Sequence, residues 1–252
     1  MKIAAVFAAM LLASGTASAE LADWQTDGAG TWSFDAESNS WFQATNTPDF
    51  TFLYDPSDTS LNKAISGSIS VGGRNDDDFI GFALGYSPGE VDDPLADYWL
   101  VSWKKGNQGG WTKGLNLWHI TGDINADPWN NGTNPQITKI QSAKSLGSTG
   151  WSHGEEYTFD LTYESGTLSV FIDEELELAV SSKDAGVDSF SDGGFAYFNF
   201  SQDSVTYNSV LFDDIGELIN DEQKNAIVSA VPVQGLGFAS LFMLGAGLIG
   251  AA

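Results

Sequence analysis

Between residues 50 and 212 the chain is built from ten short apolar runs, none longer than eight residues: 50–54, 65–71, 79–86, 98–104, 115–120, 157–163, 168–172, 176–180, 195–200 and 205–212. Gly, Asn, Asp and Ser separate them. An amphipathic helix needs a longer stretch and a period near 3.6, whereas runs this short, alternating or continuous and bounded by turn residues, read as strands. Many strands at short intervals predict an all-β protein, a two-sheet sandwich. Hairpins are predicted at Tyr163-Glu164-Ser165-Gly166-Thr167-Leu168 and at Asp173-Glu174, between Ile172 and Leu176. Only residues 215–230 read as a short helix or spacer, and 128–135 reads as a loop rich in Asn and Gly.

The two ends carry signals of a different kind. Residues 1–19 have a basic start at Lys2, an apolar run from Ile3 to Leu12 and a small-residue site, Ala17-Ser18-Ala19, before Glu20. That is the pattern of a secretory signal peptide, so the body is expected to be exported to the cell envelope, the surface or an extracellular matrix. At the other end, Val231-Pro232-Val233-Gln234 introduces Gly235 to Ala252, in which Ser240 is the sole polar side chain. The length just suffices for a membrane helix. The segment 231–252 resembles bacterial exosortase-type (PEP-CTERM) sorting signals, with Gln234 where a second Pro is common and no basic residue after Phe238. It is read as a hydrophobic sorting or anchor segment, either processed by a sorting enzyme or retained as a tail anchor.

Charge narrows the choice of partner. Ten basic residues face 34 acidic ones, a formal net charge of −24. Such a field repels nucleic acid and anionic membrane surfaces and attracts cations. There is no Cys and there are two His, which excludes disulfides, a thiolate nucleophile and Cys-ligated zinc and leaves little for a His-rich metal site. Calcium, which takes oxygen ligands, fits what remains.

Four ordered blocks carry a family resemblance. Asn75-Asp76-Asp77-Asp78-Phe79-Ile80-Gly81-Phe82-Ala83-Leu84-Gly85-Tyr86 is followed by Tyr98-Trp99-Leu100-Val101-Ser102-Trp103-Lys104-Lys105, by Gly114-Leu115-Asn116-Leu117 and by Gly194-Phe195-Ala196-Tyr197-Phe198-Asn199-Phe200-Ser201-Gln202-Asp203. Together they resemble the C-terminal lectin-like domain of thrombospondins, over residues 20–214. The resemblance implies a jelly-roll sandwich of the legume-lectin (concanavalin) type, secreted, calcium-associated and used in adhesion. The family's cysteines and upstream calcium-binding repeats are absent here, so receptor roles do not carry over.

Within this frame three sets of residues are candidates for a site. Asp76, Asp77 and Asp78 stand at the mouth of a strand, where alternation sends Asp76 and Asp78 to one side and Asp77 to the other, so a cation would take two carboxylates plus backbone and water oxygens. The alternative is a solvated acidic turn. Asp123, Asn125 and Asp127 occupy the first, third and fifth positions of a calcium loop, but Pro128 replaces the required Gly and Asn134 the twelfth-position Glu, so an EF-hand is excluded and a looser site remains. Trp111, Trp129 and Trp151 lie in Gly- and Asn-rich loops, where an indole either stacks on a sugar or covers the sandwich edge. Trp99, Val101 and Trp103 share one strand face and read as core.

Catalysis finds weaker support. Gly85-Tyr86-Ser87-Pro88-Gly89 matches a nucleophile elbow, yet Pro88, Gly89 and Pro94 argue against the helix that motif requires. Glu175 and Glu177 would share a strand face as a glycosidase pair needs, directly after a hairpin. The expectation is therefore a non-enzymatic, exported, calcium-associated binding or adhesion module whose partners are extracellular polysaccharide or a surface protein, together with divalent cations. A polysaccharide-active glycosidase or lyase on the same fold is the alternative.

Overall fold

Every residue of the run Phe79–Tyr86 is buried, so a strand with this sequence must have apolar cover on both faces. The architecture supplies it. The computed structural model describes residues 21–56, 59–73, 76–130 and 134–231. The early strands are β1 (Gln25–Gly28), β2 (Trp32–Asp35), β3 (Ser40–Gln43), β4 (Phe50–Tyr54) and β5 (Lys63–Val71). The central ones are β6 (Phe79–Tyr86), β7 (Asp97–Lys104), β8 (Gly114–Thr121) and β9 (Ile137–Ser142). The last are β10 (Glu156–Tyr163), β11 (Thr167–Ile172), β12 (Glu175–Ser181), β13 (Gly194–Phe200) and β14 (Val205–Asp214).

These strands form two seven-stranded sheets, ordered β1-β4-β13-β6-β7-β8-β9 and β12-β11-β10-β5-β14-β3-β2. All the pairs between neighbouring strands are antiparallel. The fold is an all-β antiparallel two-sheet sandwich, the jelly-roll class expected from the sequence, with short helices at its C-terminal end.

Alternation sorts the first sheet's side chains between two cores. Ile80, Phe82 and Leu84 of β6, Trp99, Val101 and Trp103 of β7, and Phe195 and Tyr197 of β13 face the second sheet. Phe79, Ala83, Tyr86, Tyr98, Leu100, Phe198 and Phe200 belong to a separate aromatic cluster on the sheet's other face. Loop residues Val91, Ala96, Trp111 and Ile124 close that cluster off from water. This double burial explains why the central strands read as continuous apolar runs. It also leaves no room at the crossing of β6 and β7: a Cβ on Gly81, at φ +152°, would meet the Val101 carbonyl oxygen at 2.0 Å.

At the C-terminal end of the sandwich, α1 (Ile215–Leu218) and α2 (Asp221–Ala230) pack Ile219 and Ile227 over Ala64 and Phe171. A capping box starts α2: the Asn220 side chain accepts from the Gln223 amide, and the Gln223 side chain accepts from the Asn220 amide. Among the described residues no helix is long and apolar enough to cross a membrane. The predicted signal peptide and the hydrophobic segment after Val231 lie outside the described residues.

One of the register shifts in the two sheets bears on the predicted acid pair. The pairing of β11 with β12 slips between Val170 and Phe171, where Val170 faces Leu178 and Phe171 faces Leu176, which makes Glu177 the extra residue of a β-bulge. Leu176 and Leu178, two positions apart, consequently serve different apolar clusters. Glu177 does not stand beside Glu175 on an open face. It is 5% exposed, and its carboxylate accepts from the Ser145 amide at 2.8 Å, the Leu146 amide at 3.1 Å and the Ser145 hydroxyl. The acid pair of the enzymatic alternative is thus broken up by the bulge.

Candidate functional site

At the mouth of β6 the three consecutive aspartates converge, each offering an oxygen within 4.8 Å of the others. Asp76 and Asp77 are half-buried and Asp78 is buried. Their surroundings fix them. The Asp78 amide donates to Gln202 Oε1 at 3.0 Å, and its carbonyl accepts from Trp151 Nε1 at 3.0 Å. Asp76 accepts from Asn46 Nδ2 at 2.5 Å, and from the Asp77 amide at 3.0 Å. The ring nitrogens of His153 face the carbonyls of Asp76, at 3.0 Å, and Gly72, at 3.1 Å. Gly106 leaves the space that Asp77 fills: a Cβ there would sit 1.9 Å from Asp77 Oδ2.

The centre of this corner is a residue given no role by the sequence reading. The pairing of β6 and β7 sets Lys104 opposite Phe79, so its ammonium reaches the aspartates just before that strand. There it forms an ion pair with Asp78 Oδ1 and donates to the Asp77 carbonyl at 3.2 Å and to Gln108 Oε1 at 3.3 Å. Burial pushes the Asp78 carboxyl up to about 6, a rise that Lys104 opposes and Asp76 adds to. The alternation argument had placed Asp78 beside Asp76 as a ligand for an outside cation. In the structure one of its oxygens already serves an internal one.

The loop tryptophans divide. Trp111 is 2% exposed, packed edge-on against Phe79 and Trp118, and donates from Nε1 to the Pro128 carbonyl at 3.1 Å. Trp151 is 1% exposed. Neither is an accessible stacking platform; both cover sandwich edges, because their N–H groups find backbone acceptors beneath the loops. Trp129 differs. It is half-buried, leans on Phe200 at 4.6 Å between ring centroids and lies 5.8 Å from the Lys104 ammonium. The fold therefore brings Trp129 to the corner occupied by Asp76, Asp77 and Asp78, from about fifty positions away in the chain.

In the second predicted calcium loop, Asp123 and Asn125 have hydrogen-bond partners within the protein. Asp123 accepts from the Ala126 amide at 3.1 Å and caps the turn Ile124–Ala126. Asn125 accepts from the Phe50 amide at 2.7 Å and donates to Asp92 at 2.9 Å. The Asp127 carbonyl accepts from Asn134 at 3.2 Å. These contacts pin the loop over the outer aromatic cluster. Asp123 and Asn125 also border an open depression of roughly 620 Å³ with Asp49 and Asp92, but among the described residues the carboxylate oxygens converge at Asp76–Asp78. Ser87, the elbow residue, leads into a three-residue 3-10 helix, Glu90–Asp92, and not into an α-helix.

No known protein family matches the chain, and no curated protein matches it either. Solved structures do. The carbohydrate-binding module CBM66 from Bacillus subtilis aligns with a TM-score of 0.53 at 14% identity, covering 76% of this chain and 95% of that one. A Bacillus subtilis protein of unknown function with a galectin-like fold gives 0.53 and 14%, covering 77% and 90%. The exoplasmic/lumenal domain of VIP36 in its Ca2+/Man-bound form gives 0.52 and 12%, covering 79% and 84%. At these identities the likeness is one of fold, a lectin-like β-sandwich.

Proposed function

We propose that this protein is an exported, non-enzymatic module that binds extracellular polysaccharide through the corner formed by Trp129, Asp76 and Asp77. The observation that carries this reading is the half-buried Trp129 indole, 5.8 Å from the Lys104 ammonium at the corner where Asp76 and Asp77 are also half-buried, on a lectin-type sandwich. An aromatic face takes the apolar face of a sugar ring, while carboxylates accept from its hydroxyls. The fold it shares with a carbohydrate-binding module and a Ca2+/Man-bound domain supports the reading.

Calcium fits this corner as a bridge and not as a structural ion. Calcium takes six to eight oxygens. Asp76 and Asp77 can offer carboxylate oxygens, but one oxygen of Asp78 holds Lys104, and that ammonium would repel a divalent ion placed deep in the cluster. An ion held by Asp76 and Asp77 would complete its shell with water or sugar hydroxyls, which places it on the ligand side. The amino-terminal signal and the segment 231–252 fit an envelope-held protein.

The test is a screen of neutral and acidic polysaccharides against the chain, followed by calorimetry with and without chelator. Trp129→Ala is expected to weaken binding about fivefold or more, the loss of roughly 1 kcal/mol of aromatic contact, while Trp129→Phe retains most of it. Asp76→Asn/Asp77→Asn is expected to abolish any calcium requirement. Polysaccharide binding indifferent to both substitutions would sink the site, and selective capture of a surface protein with no glycan binding would sink the carbohydrate assignment.

A further inference from the structure

Lys104 is 1% exposed and its partner Asp78 only 4% exposed at the side chain. An ammonium taken so far from water is tolerated only if its three N–H groups find acceptors and its charge finds an opposite one. Here the count closes. The three acceptors are a carboxylate oxygen of Asp78, the main-chain carbonyl of Asp77 and the side-chain amide oxygen of Gln108. The rings of Phe79, 4.6 Å from the nitrogen, and Trp129, 5.8 Å from it, flank the ammonium with their negative faces. Carboxylate, backbone carbonyl and amide oxygens are also the donor types that a hard metal cation collects.

We infer that the Lys104 ammonium is the resident structural cation of the acidic corner, holding together the Asp77–Asp78 turn, the Gln108 turn and the aromatic pair Phe79 and Trp129, as a bound metal would in its place. The stability of the corner therefore requires no ion from solution. The carboxylates of Asp76 and Asp77, both half-buried, are not among its acceptors. This inference does not depend on what the protein binds, and holds equally if the polysaccharide reading fails.

The test is thermal melting of the full chain in chelator and in millimolar calcium, for the wild type, Lys104→Met and Asp78→Asn/Lys104→Met. The wild type is expected to melt at the same temperature in both buffers. Lys104→Met keeps the apolar stem but strands a buried carboxylate, and should melt lower in chelator by on the order of 10 °C. Calcium should restore part of that loss, and calorimetry should show a calcium site in this variant that is absent from the double variant. The double variant, with no charge left to strand, should recover at least half of the lost stability in chelator and ignore calcium. If Lys104→Met does not fold in chelator, folding of the double variant by circular dichroism gives the same reading. A wild type stabilised by calcium through Asp78 would overturn the inference, as would a Lys104→Met chain as stable as the wild type. A double variant no better than the single, or a Lys104→Met chain that calcium does not rescue, would overturn the equivalence with a metal.

Discussion

A charged side chain in this protein behaves according to what the fold sets beside it, and Glu164 shows this as clearly as Lys104 does. It precedes the Ser165-Gly166 turn between β10 and β11, and one of its carboxylate oxygens is buried with no hydrogen-bond partner among the described residues. Burial alone pushes its carboxyl up to about 7. A carboxyl whose folded pKa exceeds its unfolded value binds protons more readily in the fold, so its contribution favours folding at low pH and is lost as pH rises toward 7. Glu164→Gln mimics the protonated form. It is expected to raise the melting temperature at pH 8 and leave it nearly unchanged at pH 4, as scanning calorimetry at the two pH values would show; an equal shift at both would exclude this titration. Backbone space is equally unforgiving at Gly81, where a side chain would enter the Val101 carbonyl. Gly81→Ala should destabilise by about 3 kcal/mol or more, measured by denaturant unfolding.

Elements are held by contacts the residues cannot make alone. The bulge at Glu177 turns a strand residue into a clamp on the turn Leu146–Ser148 through hydrogen bonds from Ser145 and Leu146. Glu177→Ala should cost about 1.5–3 kcal/mol, since bonds to a charged acceptor are the stronger kind. Urea titration measures that cost, and a change within about 0.5 kcal/mol would show the clamp to be ornamental. The capping box at Asn220 makes a smaller, local prediction: Asn220→Ala should loosen α2 by about 1 kcal/mol, seen as faster hydrogen exchange at the Gln223 and Lys224 amides with the sheets unaffected. Strands β1, β2, β3 and β9 were not among the runs read from sequence. They are short and rich in polar residues; β1, β3 and β9 gain their places by pairing with the longer strands β4, β14 and β8, and β2 gains its place by pairing with β3. Their signal is register, which a local pattern does not contain.

For the whole molecule the net charge of −24 is the property that reaches furthest. Like charges spread over one surface repel, and the repulsion is screened once the Debye length falls from about 30 Å at 0.01 M salt to about 8 Å at 0.15 M. The melting temperature is therefore expected to rise over that range of sodium chloride. If Lys104 is the structural cation, calcium at matched ionic strength should raise it no further. The acidic excess also attracts cations without saying where they would sit. The aspartates at 76–78 were legible as a cluster because they are consecutive. Trp129 was legible as one loop tryptophan among three, and what set it apart was the packing of its loop against Phe200.

Strand number in the central blocks, the sandwich class, the acidic character and the absence of cysteine chemistry follow from the sequence, because they depend on local periodicity and composition. The convergence of Asp78 with Lys104, the burial of Trp111 and Trp151 and the bulge that separates Glu175 from Glu177 do not. Each depends on which strand lies beside which and in what register, and that choice is made by long-range burial of two apolar faces at once.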